Sequence, residues 1–195
     1  DNLIVSGGEQ RKVLKKNFGW SRKNVSFIPS LRFKKKKTKE FSGFIFVPYN
    51  LDNYHDYLER LEIYLAENKK SPSNFKVRIH PLNSKSQKHL DFKEKCEILL
   101  IKYSSKKRRS LSNQSLFFGS ATGVCVQALE EGTIIIHFPN DEYFDVFSAS
   151  IWSNLDTKEI GKKTYMYKLK KKNYTFSTGN KKNKFLKYLK PFLKK

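Results

Sequence analysis

Few residues in this chain combine the type and the spacing that chemistry requires. Ser120, Thr122 and Gly123 stand together in the run S-L-F-F-G-S-A-T-G-V, between a short apolar stretch and an amphipathic one. Two hydroxyls and a glycine at the start of a helix suit an anion. The first N–H groups of a helix are unpaired and carry partial positive charge, and glycine lets a ligand approach the backbone. A hydroxyl-capped turn that binds nothing fits the same residues. Two sharper chemistries are excluded: the G-K-[ST] of a P-loop is absent, and the middle of G-S-A-T-G is Ala121, so there is no nucleophile elbow. His80 is the second candidate. It precedes Pro81 at the end of an apolar strand pattern, with Arg78 two residues back on the same face. His137 closes a further β-branched run. The four histidines have no metal-ligand spacing, so no metal site is expected.

The elements that must position these groups are readable. Leu116 to Phe118 has the length of a buried strand, and Gly119 can bend the chain. A helix from Ala121 would bury Val124, Cys125, Ala128 and Leu129, Gly132 stops it, and Thr133 to Ile136 is the next strand. Upstream, Gly43 to Val47 predicts a strand. Asn50 is the expected cap of a helix that buries Leu51, Tyr54, Leu58, Leu61 and Leu65. Lys76 to Leu82 and Glu97 to Ile101 predict two more strands. This alternation predicts a doubly wound α/β domain in which the strands at Phe44, Val77, Leu99, Phe117 and Ile135 run parallel. Ligands of such sheets bind beyond the carboxyl ends of the strands, where His80, the Ser120 turn and His137 would meet.

The flanks are simpler. Leu3 to Val5 and Val25 to Ile28 read as short strands around a helix from Gln10 to Phe18. Lys34 to Lys37 reads as a solvated linker and Lys106 to Arg109 as a solvated helix start. Ser148 to Trp152 suggests a short strand, Thr164 to Leu169 alternates like an edge strand, and Asn180 to Lys195 is a basic amphipathic helix. That last helix suits either core packing or an anionic membrane surface.

A net charge of +22 over 195 residues implies anionic company: nucleic acid, phosphorylated substrates or an acidic membrane. The lysines are scattered, and no aromatic–basic platform of an RNA-binding motif appears, so no specific nucleic acid is expected. Cys96 and Cys125, both in apolar surroundings, read as buried thiols of a reducing compartment. No apolar run approaches the roughly 18 residues of a membrane span. The chain runs from Asp1 straight into Leu3-Ile4-Val5, which reads as part of a longer protein.

From Phe41 to Pro139 the chain resembles the C-terminal, donor-binding half of GT-B glycosyltransferases, most of all bacterial enzymes of surface-polysaccharide synthesis. The R-I-H-P element and F-G-S-A-T-G-V-x-x-Q-A-L-E-E-G-T-I-I-I carry the likeness. It implies a Rossmann-like domain over residues 39–195, preceded in residues 1–38 by the tail of an N-terminal domain and its linker. It further implies that His80 contacts the phosphate or nucleotide of a nucleotide-sugar donor, and that Ser120, Thr122 and Gly123 hold the diphosphate. Gln127 stands where the family often has a ribose-binding Glu. The acceptor would be a glycan or lipid-linked, no cofactor or metal is implied, and the catalytic base would lie in the N-terminal domain. The implied location is the cytoplasm, at the inner face of the membrane.

Overall fold

The computed structural model describes residues 3–5, 7–28, 41–68, 75–103, 113–120, 123–140 and 152–171. The expected linker at Lys34 to Lys37, the run Lys106 to Arg109, Ala121, Thr122 and the C-terminal amphipathic helix lie outside them, as does all but Trp152 of the strand expected at Ser148 to Trp152.

Two sheets form. In the first, β1 (Leu3–Val5) pairs in parallel with β2 (Val25–Phe27), and α1 (Gly8–Phe18) connects them. The second has six strands: β3 (Phe44–Phe46), β4 (Lys76–Arg78), β5 (Gln114–Phe118), β6 (Ile134–Phe138), β7 (Leu155–Gly161) and β8 (Thr164–Leu169). Their order is β4-β3-β5-β6-β8-β7. The first four are mutually parallel, and β8 joins β6 antiparallel, as β7 joins β8. The result is a mixed α/β, mostly parallel sheet flanked by helices, compatible with a Rossmann-like arrangement.

Alternation along β5 and β6 sends side chains to two apolar layers. Leu116, Phe118, Ile136 and Phe138 face α2 (Tyr54–Glu67) and α3 (Gln87–Lys102), while Phe117 and Ile135 face α4 (Gly123–Glu130). Phe118 is the hub of the first layer. It stacks on Phe138 at 4.8 Å between ring centroids and takes Phe92 edge-on at 5.5 Å. The second layer is centred on Phe46 and Phe117, stacked at 4.4 Å. Cys96 and Cys125 are both buried, one in each layer, and are not joined in a disulfide.

Four local expectations are corrected. Leu99 is helical, not extended: the E-I-L-L-I run is the end of α3. His89, Phe92, Cys96 and Leu100 bury at helical spacing, while Ile98 and Ile101 remain exposed, so the run is apolar on two faces without being a strand. Asn50 does not cap α2. It bonds Asp52 at 2.5 Å, and the helix starts after Asn53 with Tyr57, Leu61, Tyr64 and Leu65 fully inward. The strand at Lys76 ends at Arg78, because Pro81 opens a short 3-10 turn capped by His80. Thr164–Leu169 is an inner strand, since β7, with exposed Asp156, Lys158 and Glu159, takes the outer position.

The small N-terminal unit is tied to the large sheet by a buried carboxyl group of α1. Glu9, 1% exposed, accepts hydrogen bonds from the Ser153 hydroxyl at 3.0 Å and from the Asn154 backbone at 2.6 Å.

Candidate ligand-binding edge of the sheet

The chain leaves β3 toward β4 on one side and returns to β5 on the other, so the order reverses between β3 and β5. A crevice opens beyond the carboxyl ends of strands at such a reversal. Pro48 and Tyr49 follow β3 there, Gly119 and Ser120 follow β5, His80 lies beyond β4, and Asn140 lies beyond β6.

Gly119 is the pivot of this edge. Its φ of +74° is a left-handed conformation that side chains disfavour. A Cβ at this position would lie 3.1 Å from both Pro48 Cβ and the Tyr57 hydroxyl, and 3.7 Å from Asn140 Oδ1. The residue is also clamped from β6: its N–H donates to the Phe138 carbonyl at 2.9 Å, and its carbonyl accepts from His137 Nε2 at 2.6 Å. The Gly119 amide is therefore already used. The next donors along this edge are the exposed Ser120 hydroxyl and the first N–H groups of α4, which starts at Gly123. Gln127 lies one turn into that helix.

The other expected residues divide. His80 is exposed, and its Nδ1 accepts the Leu82 N–H at 3.3 Å. A ring nitrogen that accepts an N–H carries no proton, so neutral His80 holds its proton on Nε2 as a donor. Arg78 leans the other way. Its guanidinium sits 3.6 Å from the centroid of Phe44, which pairs with Lys76, so it reaches back from the carboxyl edge. His137 is buried in β6, which runs two residues beyond the expected Ile136, and it supports the Gly119 turn from inside. Thr122 lies outside the described residues.

Several groups at this edge were not singled out from the sequence. Tyr57 is fully buried, and its hydroxyl, beneath Gly119, has no hydrogen-bond partner among the described residues. Burial pushes its pKa up to about 12, against a smaller opposing pull from Arg60, so it stays a donor. Arg60, also buried, donates from one nitrogen to the Pro139 and Lys163 carbonyls at 3.1 and 2.8 Å, and pairs with Asp56 through the other. It thereby joins α2 to the end of β6 and to the β7–β8 turn. His89 is buried and lies 3.1 Å from the Tyr49 carbonyl through Nε2 and 2.9 Å from Ser86 Oγ through Nδ1. Only helical spacing marks Tyr57, Arg60 and His89 in the sequence, and that signal is the same for any core residue.

Among the described residues no three His, Cys, Asp or Glu side chains converge to hold a metal, and no helix is long and apolar enough to cross a membrane. Comparison with protein-family models, with curated proteins and with solved structures gives no match.

Proposed function

We propose that this chain is the donor-binding half of a GT-B-type glycosyltransferase, moving a sugar or a related phosphorylated group from a nucleotide-activated donor during assembly of a cell-surface glycan. The observation that carries this reading is the convergence at the β3/β5 reversal. There the Gly119–Ser120 turn leads toward α4, and exposed His80 lies beyond β4, with Nδ1 accepting the Leu82 N–H. Hydroxyls and helix N–H groups would take the donor's diphosphate, and His80 would donate to a phosphate oxygen. As the glycosidic bond breaks, negative charge grows on the leaving diphosphate. Fixed dipoles aimed at it lower the barrier without reorganising. The general base would come from the acceptor-binding domain, and the acceptor is a glycan or a lipid-linked sugar.

Calorimetry of nucleoside diphosphates on the wild type and on the double variant Ser120→Ala, Thr122→Ala tests the reading. Hydrogen bonds to a charged group contribute about 1.5–3 kcal/mol each, so the double variant should lose about two to four decades of affinity. Equal affinity in two folded proteins would remove the turn from the site.

The net charge of +22 supports a second reading, binding of nucleic acid. It predicts affinity for oligonucleotides that falls steeply with salt and is indifferent to the double variant, because scattered lysines would supply it.

A further inference from the structure

We infer that the Tyr49 ring is the surface on which the donor's nucleobase stacks, with His80 Nε2 donating to the phosphate beside it. The inference rests on the functional reading above and names how that site holds a nucleotide.

Tyr49 is 63% exposed, at the carboxyl end of β3. An exposed aromatic on a loop ordinarily has a loosely held backbone. Here the backbone is pinned: the Tyr49 carbonyl accepts from Asn83 Nδ2 at 2.9 Å and lies 3.1 Å from His89 Nε2. His89 is buried and held in turn by Ser86 Oγ. Asn83 Nδ2 also lies 2.9 Å from His89 Nε2, so the amide, the imidazole and the Tyr49 carbonyl form one polar cluster.

The second ring is fixed in the same way. His80 packs perpendicular to Tyr49, with centroids 5.6 Å apart and an interplanar angle of 88°, and the Leu82 N–H holds its Nδ1. This packing covers at most one face of Tyr49 and leaves its ring largely exposed beside the exposed His80 imidazole. The preceding residue, Pro48, touches the space over Gly119, so the aromatic pair adjoins the turn assigned to the diphosphate. A planar base joined to phosphate is the ligand class that uses a rigid ring and an anion site side by side.

The test is calorimetric titration of the whole chain with UDP, GDP, ADP and CMP, and separately with pyrophosphate, which has no base. Wild type, Tyr49→Phe and Tyr49→Ala are compared after their folding is checked by circular dichroism. Base–aromatic stacking predicts a loss of about ten- to a hundredfold in Tyr49→Ala for the preferred nucleotide, little change in Tyr49→Phe, and unchanged pyrophosphate affinity in both. Nucleotide affinity in Tyr49→Ala equal to wild type, or an equal loss for pyrophosphate, overturns the inference. A wild type that binds pyrophosphate but none of the nucleotides overturns the stacking surface and leaves the anion site standing. A wild type that binds none of these ligands overturns the functional reading and the inference with it.

Discussion

The Nε2 of His137 donates to the Gly119 carbonyl across 2.6 Å, from within β6 to the bend after β5. This bond makes a histidine with an apparent ligand-binding position into a strut of the site. His137→Phe keeps the ring volume but leaves a buried carbonyl without its donor. Such a loss costs about 1–3 kcal/mol, to be read in urea unfolding. Stability equal to wild type would show that the bond does not hold the turn.

Gly119→Ala strains the same bend from the other side. A residue with a Cβ pays roughly 1–2 kcal/mol in the left-handed region, and this Cβ would also press on Pro48 and the Tyr57 hydroxyl. The variant is expected to lose at least that much stability and to bind nucleotide more weakly. A fully stable Gly119→Ala with wild-type affinity would mean that the bend tolerates a shift.

Tyr57→Phe should behave in the opposite sense to most core changes. The hydroxyl is buried without a partner among the described residues, so removing it is expected to leave stability unchanged or raise it by about 1 kcal/mol. The pH dependence separates the cause. The folded hydroxyl titrates at about 12 against 10.0 for the free group, so the folded state keeps a proton that the unfolded state releases. Stability from this group is complete below pH 10 and falls as pH rises from about 10 toward 12. The gap between wild type and Tyr57→Phe should shift in the variant's favour across that window. A gap that does not move with pH would show that Tyr57 ionises freely when folded.

Arg60→Lys keeps the charge beside Asp56 but cannot reach the Pro139 and Lys163 carbonyls together. A loss of about 2–3 kcal/mol is expected in thermal or urea unfolding. A change below about 0.5 kcal/mol would show that the carbonyls find other donors.

Legibility in the sequence followed how local the determinant was. The run around Leu116 to Ile136 was readable because strand, bend, helix and strand each bury one continuous or periodic apolar set, and the strands at Phe44, Val77, Phe117 and Ile135 are indeed parallel. Leu99 reads as strand because four apolar residues at a helix end look extended when a charged stretch hides the helical period before them. β7 is hard to read because its L-D-T-K-E-I-G is short of apolar residues and carries no Asn-Gly or Asp-Gly turn signal before β8, its partner across Lys162 and Lys163. The same holds at the candidate site. His80 and Ser120 stand beside Pro81 and Gly119, so their neighbours announce them. Tyr57, His89 and Arg60 reach the edge from helices by tertiary packing, and nothing beside them in the chain distinguishes them from core.

The Glu9 carboxylate has a consequence for how the chain assembles. The partner backbone amide, at Asn154, lies 145 positions downstream. A two-stranded sheet with three-residue strands is too small to persist alone in water. During synthesis α1 therefore emerges long before the groups that donate to its buried carboxyl exist. A segment made before the large sheet is thus secured only after it, and its docking reports that the β7–β8 end of that sheet is in place.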